Sequence, residues 1–332
     1  MNNNSTRRLR VAAVQVQSSL GQTQVNLNHF TPLVEQAASQ GVQLIILPEL
    51  AASGYSMSKL IWDAAETRQG ATIRWLEDIS ARLEVYVGIG FIEADGEDFY
   101  NTYALAAPNG KIAGFVRKTM AETYCFRCSN GSHVIDTPLG KIGLGICADN
   151  HFVPMVRLMQ EQGVDLMLMP HALPGAFKTG GLVNPQDIEQ SRKKARGMAP
   201  LYAQFLGVPA IFANAVGPRG PEKWAGIVGG MMTPEAFRIL GLSTIVDGDG
   251  MIKGELDETE GVLVADVNLD PARKVCIKPE SYGRYGGGWV HPLSSPLVDL
   301  ICSVDAFFCG MSYWFSHERR QKAQAVSSNE HG

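Results

Sequence analysis

Residues 141–149 read KIGLGICAD. A short apolar run, broken by Gly143 and Gly145, ends on a cysteine. Runs of this length and composition form buried strands. Residues 133–137 precede it, joined by the turn Pro138-Leu139-Gly140, so 133–146 predicts a β-hairpin. Toward the N-terminus, 100–107 and 111–117 flank Pro108-Asn109-Gly110, a second hairpin signal. Before it come a helix over 64–84 and strands over 85–91 and 42–47. Earlier still are a helix over 32–40, stopped by Gly41, and a first strand over 11–17. Beyond Cys147 the pattern predicts helix 152–162, strand 164–169, helix 188–206 bent near Pro200, and strand 209–213. Residues 243–246 and 251–253 bracket Asp247-Gly248-Asp249-Gly250, and 261–267 is the last clear strand. Hairpins mixed with strand–helix alternation imply an α/β fold of mixed sheets covered by helices. No long or biased linker divides the chain. A single domain is expected, with an irregular C-terminal arm from about Pro271.

The chain has 332 residues, 45% hydrophobic and 19% charged, with a formal charge of -4. That balance argues against a nucleic-acid partner, which calls for a basic stripe. Arg7, Arg8 and Arg10 are too few to make one. Six cysteines over this length do not make a secreted disulfide framework. The segment VAAVQVQ is too short and polar for a signal peptide, so a cytoplasmic location is expected. Residues 297–315 nearly match a bilayer in length but contain Asp299 and Asp305. They are expected to form a buried or subunit-facing helix rather than a membrane span.

Three reactive residues stand at three predicted strand exits. Glu49 follows LIILP, Lys118 follows KIAGFVR, and Cys147 follows KIGLGI. Sheets of this class open their ligand crevices at strand carboxyl ends. A thiol needs deprotonation to become a strong nucleophile. Glu49 can take that proton, and Lys118 favours the negative charge that results. The two glycines of the cysteine strand leave room for close backbone approach. Tyr55, Asn150, His151 and His171 lie near these strand ends and are candidate pocket residues.

The segments LPELAASGY (47–55), YNTYALAAPNGKIAGFVRK (100–118) and GLGICAD (143–149) resemble the three catalytic segments of the nitrilase, or carbon–nitrogen hydrolase, superfamily. GLSTIVDGDG (241–250) and GVLVADVNLD (261–270) resemble its closing strands. The resemblance runs in order over about four-fifths of the chain. It implies an α-β-β-α sandwich of two mixed sheets flanked by helices. It also implies a carbon–nitrogen hydrolase domain over 8–270 and a homodimer or larger oligomer. The arm over 271–332, apolar and rich in Phe307, Phe308, Tyr313, Trp314 and Phe315, is a candidate subunit contact. Cys147 would be the nucleophile and Glu49 the base. Lys118 and the Ala148 N–H would hold the oxyanion, and Glu122 would be the second glutamate. The implied reaction is hydrolysis of a small amide or N-carbamoyl compound through a thioester, with no metal or organic cofactor.

Ala148 and Asp149 stand where nitrile hydrolysers commonly carry Trp and Glu, which favours amides. A nitrilase and a catalytically silent assembly subunit are the alternatives. Val153 and Pro154 replace a Pro–Glu pair usual in the family, although Arg157 matches. AQFLGVPAIFAN replaces the familiar Arg–Ala–x–Glu–Asn helix. Cys125-Phe126-Arg127-Cys128 is an isolated C-x-x-C with no second pair to complete a zinc site. GLGICA lacks the final glycine of a dinucleotide fingerprint, and no G-x-S-x-G is present.

Overall fold

The computed structural model describes residues 5–179, 183–218, 220, 226, 236–279 and 296–328. Strands β1 (Arg7–Gln15), β2 (Leu44–Ile46), β3 (Tyr86–Asp95), β4 (Asp98–Ala106), β5 (Ile112–Arg117) and β15 (Gly261–Leu269) form one sheet. Its order is β15-β1-β2-β3-β4-β5. A second sheet contains β6 (Val134–Thr137), β7 (Gly140–Leu144), β8 (Leu166–His171), β10 (Ala210–Asn214), β13 (Thr244–Val246) and β14 (Ile252–Glu255). Its order is β14-β13-β10-β8-β7-β6. Three short strands, β9 (Pro174–Ala176), β11 (Val216–Gly217) and β12 (Phe237–Leu240), make a small third sheet.

Strand periodicity builds the layers. In β1, Leu9, Val11 and Ala13 face the second sheet, while Ala12 and Val14 face helices. In β8, Leu166 and Leu168 face the first sheet, while Met167 and Met169 face helices. These central strands are apolar on both sides because their sheets are covered on both sides. Helices α1 (Thr23–Ala38) and α2 (Ala71–Leu83) cover the first sheet. Helices α3 (Val153–Gln162) and α4 (Pro185–Leu206) cover the second. The result is the α-β-β-α sandwich that the sequence resemblance implies.

Three helix starts differ from the sequence expectation by three residues or more. Helix α1 starts at Thr23 rather than at residue 32, with Pro32 inside it. Pro32 lies on the exposed side, where the carbonyl it leaves unbonded can meet water. Helix α2 starts at Ala71 rather than at residue 64, because Glu66 is extended and bonded to β3 through Ile92 and Ala94. The Glu66 carboxylate then caps α2 by accepting from Thr72 N at 2.8 Å. Helix α4 starts at Pro185, where the Asn184 side chain accepts from the N–H groups of Gln186 and Asp187.

The C-terminal arm forms α5 (Pro296–Phe315) and α6 (His317–Ser328). It packs on the turn between β3 and β4. Arg319 is buried there against Asp98, and Tyr313 Oη donates to Asp98 at 3.2 Å. Trp62 stacks on Phe99 at 5.5 Å beside Tyr313 and donates to the Cys125 carbonyl at 2.7 Å. The arm therefore braces residues 119–128, the loop that carries Glu122. On the other side of α5, Val304, Phe307, Phe308, Met311, Trp314 and Phe315 are exposed. Among the described residues, no helix is long and apolar enough to cross a membrane.

Candidate active site

Glu49, Lys118 and His171 come to one place because β2, β5 and β8 end there. β2 and β3 are parallel, and β5 returns to that direction through antiparallel β4. β7 and β8 are parallel in the facing sheet. Glu49 lies three residues beyond β2, Lys118 directly beyond β5, and Cys147 in a 3-10 turn (Cys147–His151) beyond β7. The approach is tight. A Cβ on Gly90 of β3 would lie 2.3 Å from Leu50 N and 2.9 Å from the Glu49 backbone. Only glycine there lets the Glu49 turn settle onto the sheet. Leu50 and Cys147 have φ of 47° and 44°, a left-handed conformation uncommon outside glycine. Strain of this kind gathers where a chain is bent to present a reactive group.

The polar cluster is buried. Glu49 Oε1 accepts from Lys118 Nζ at 2.5 Å and from Asn101 Nδ2 at 2.8 Å. Its Oε2 accepts from Ala172 N at 2.9 Å. Lys118 Nζ also donates to Glu122 Oε1 at 2.5 Å. Tyr55 Oη donates to Glu122 at 3.1 Å, which brings Tyr55 into the cluster. The ammonium has three protons, and two carboxylates take two of them. Burial opposes the charge on Lys118, but Glu122 and Glu49 outweigh it and raise its pKa well above the usual lysine range. Burial raises the Glu49 pKa, opposed by Lys118 and assisted by Glu122. Burial also pushes the Cys147 thiol well up, and the negative charge of Glu49 adds to this. Lys118 and the Ala172 N–H act against that rise. The resting sulfur is thus a protonated thiol, beside a carboxylate with raised proton affinity.

Asp149 clamps the cysteine turn to the lysine loop. Its Oδ1 accepts from Thr119 N at 3.1 Å and Met120 N at 2.7 Å, and its Oδ2 from Ile146 N at 3.1 Å. His133 bridges the same two segments through Thr119 Oγ1 and the Leu144 carbonyl, each at 2.8 Å. Asn150 lies beneath the turn. Its Nδ2 donates to Gly145 O at 2.6 Å, and a Cβ on Gly145 would lie 2.0 Å from its Oδ1. Gly145 thus makes room for the Asn150 amide, whereas Gly143 faces Met159, Val164 and Met167. Ala148 is the half-exposed residue of the turn. His151 and His171 are buried with ring centroids 6.1 Å apart. A cavity of about 350 Å³ opens beside Glu49 and Tyr55, walled further by residues 17–20, Ala215, Val216 and Ile239.

The family model for carbon-nitrogen hydrolases matches residues 10–275. The chain belongs to the carbon–nitrogen hydrolase family. An omega-amidase of Bos taurus is 30% identical over 274 residues, covering 78% of this chain and 88% of that protein. An N-carbamoylputrescine amidase of Arabidopsis thaliana is 27% identical over 266 residues, covering 76% and 83%. Among solved structures, a carbon–nitrogen hydrolase of Helicobacter pylori G27 aligns with a TM-score of 0.68 at 20% identity, covering 79% of this chain and 90% of that one. This chain is accordingly a hydrolase of carbon–nitrogen bonds other than peptide bonds, in the amidase-like branch of the nitrilase superfamily.

Asn101, Ala172 and Asp149 complete this carbon–nitrogen hydrolase cluster, and sequence reasoning gave them no role. Asn101 carried one usable signal, a polar residue at the start of the apolar strand YNTYALA. Ala172 contributes only a backbone N–H, which no side-chain pattern reveals. Cys125 is buried with its thiol toward the Ser58 carbonyl at 3.7 Å, while Cys128 is exposed, and both are free.

Proposed function

We propose that the chain hydrolyses a small amide or N-carbamoyl compound through a thioester on Cys147. One observation carries this reading. The Ala172 N–H donates to Glu49 Oε2 and also faces the Cys147 thiol, so base and nucleophile lie side by side. Glu49 Oε2 takes the thiol proton as Sγ attacks the carbonyl carbon. The oxyanion meets the third Lys118 proton and the Ala148 N–H. Donors fixed in advance in this way are worth about 3–4 kcal/mol each. The intermediate collapses, Glu49 passes its proton to the departing nitrogen, and the C–N bond breaks. Water then attacks the thioester as Glu49 takes one of its protons. The acid leaves, and the proton on Glu49 returns to the thiolate. Glu122 holds Lys118 opposite Glu49 throughout.

The relatives named as amidases support amides over nitriles. Ammonia release from short amides, carbamoyl compounds and nitriles tests the choice. Turnover confined to nitriles would replace this reading with the nitrilase alternative. We also propose that α5 is the contact between copies of the chain, since Phe307, Phe308, Met311 and Trp314 form one exposed stripe. Replacing Phe307, Phe308 and Trp314 by Ser should lower the mass in solution, and an unchanged mass would reject the contact.

A further inference from the structure

Helices α5 and α6 lie beyond residues 10–275, the segment that the family model matches. They nevertheless reach the catalytic loop through one buried carboxylate. Asp98 opens β4, and three side chains donate to it: Arg319 of α6, Tyr313 of α5, and Arg127 of the 119–128 loop. Phe99 N donates to Tyr313 Oη at 3.0 Å, and Arg127 N to the Phe99 carbonyl at 2.8 Å. Each guanidinium also lies over a ring of α5, Arg319 at 4.6 Å from the Tyr313 centroid and Arg127 at 5.1 Å from that of Trp314. Earlier in the loop, Thr123 Oγ1 donates to the Ala306 carbonyl at 2.9 Å. A Cβ on Gly310 would lie 3.6 Å from Thr123 Cβ. Ala306, Gly310 and Tyr313 stand at helical spacing, so one face of α5 lies along the loop.

The loop passes this hold on to Glu122. The Glu122 carbonyl accepts from Cys125 N at 2.8 Å and from Phe126 N at 3.0 Å, so 122–126 is one hydrogen-bonded turn. Thr123 and Arg127 tie the two ends of that turn to the arm and to Asp98. Trp62, edge-on to Tyr313 at 6.4 Å, ties its middle at the Cys125 carbonyl. A turn held at three points delivers its carboxylate to one place, 2.5 Å from Lys118 Nζ. Moving Glu122 away has two chemical consequences. It leaves Lys118 to Glu49 alone, which turns the free ammonium proton from the oxyanion. It also changes the charges facing Glu49, which are Lys118, Glu122, Tyr55 and Cys147. Burial raises the Glu49 pKa, Lys118 opposes the rise and Glu122 assists it, so withdrawing Glu122 lowers that proton affinity.

We propose that Arg319 and Tyr313 are positioning residues for hydrolysis: by clamping Asp98 and the 119–128 loop, they fix Glu122 where it holds Lys118 ready for the oxyanion. Neither side chain touches substrate. Their contribution is made in the transition state, where the oxyanion exists, and so falls on kcat rather than on KM. This inference rests on the amidase reading above.

The test measures kcat and KM of Arg319→Met with butanamide, pentanamide and N-carbamoylglycine. On the best of these, kcat should fall about 10- to 100-fold, the cost of a small misplacement made far from the chemistry, and KM should stay within about threefold. The acid limb of kcat/KM should move to lower pH, as it should in Glu122→Gln. Arg319→Lys should restore most of the activity. In the background of Glu122→Gln, Arg319→Met should change kcat by less than about twofold, because the residue through which it acts is already gone. An unchanged kcat, an acid limb that stays in place, or losses that multiply in the double variant overturns the proposal. Should Arg319→Met not fold, Tyr313→Phe loses only the hydroxyl and should show the same pattern with a loss of about three- to tenfold. Hydrogen exchange reads the clamp without substrate. The amides of Cys125 and Phe126 should exchange about tenfold faster in Arg319→Met, and unchanged exchange overturns the clamp. If wild type hydrolyses none of the three compounds, the amidase reading fails separately, and exchange alone decides whether the arm positions Glu122.

Discussion

Glu49, just beyond β2, and Glu93, in β3 of the same sheet, are each 1% exposed, and they have opposite electrostatic outcomes. Glu93 accepts from Arg117 Nε at 2.8 Å, from Arg68 Nε at 2.6 Å and from Thr102 Oγ1 at 2.7 Å. Burial works against its charge, but Arg117, Arg68 and Thr102 together hold its pKa below the usual carboxylate range. Glu49 has one ammonium, which it shares with Glu122, and burial prevails. Adjacent residues of β4 supply the two sites. Asn101 donates to Glu49 and Thr102 to Glu93, because successive strand residues point to opposite faces. A buried carboxylate with two guanidinium partners is fixed as an anion and serves structure. One with a single cation, shared with a second carboxylate, keeps its proton affinity and can serve chemistry.

The comparison can be broken most severely from the chemical side. Cys147→Ala should abolish turnover, and Glu49→Gln should lower kcat by about 10³-fold or more, the range of a lost general base. Both variants should remain folded, as judged by circular dichroism. Glu93→Gln should do the reverse. Losing one partner of a buried ion pair costs about 3–5 kcal/mol, and the partial exposure of Arg68 reduces this to about 2–3 kcal/mol. Urea unfolding should show that loss, while kcat of the folded variant stays within about threefold of wild type.

Asn101→Ala should have a smaller effect. It removes a donor that favours ionised Glu49, so the Glu49 pKa rises further and the acid limb of kcat/KM moves toward neutrality. On the acid side of that limb the loss should be about tenfold. An acid limb that stays in place would show that Glu49 is not the titrating base. The smallest effect is an offset between activity and structure in wild type. Glu49 is raised, so activity falls with pH through a value above the ordinary carboxylate pKa of about 4.3. Glu93 is lowered, so its stabilisation is present above that ordinary value and is lost only as pH falls through its own lower one. On acidification, hydrolysis should therefore cease before circular dichroism reports unfolding. Coincident loss would contradict the contrast between the two sites.

Glu49, the proposed base, was legible in the sequence, and Glu93 was not. Glu49, Lys118 and Cys147 end apolar strands, and strand ends are visible as hydrophobic runs. The layered fold was legible for the same reason, since period-2 alternation and hairpin turns are local. Glu93 depends on Arg68 and Arg117, which lie 25 and 24 residues away. Strands β9, β11 and β12 have three, two and four residues, too few to establish a period. The early start of α1 was hidden by Pro32, whose cost is small on an exposed face.

The central claim is that a buried thiol becomes a nucleophile by passing its proton to the adjacent Glu49. Rapid quenching of wild type during turnover of a short amide, followed by mass analysis of the peptide containing Cys147, tests it directly. The account predicts an added acyl mass on Cys147 that is absent in Glu49→Gln. Steady ammonia release with Cys147 unmodified, or with Cys147→Ala as active as wild type, would contradict it.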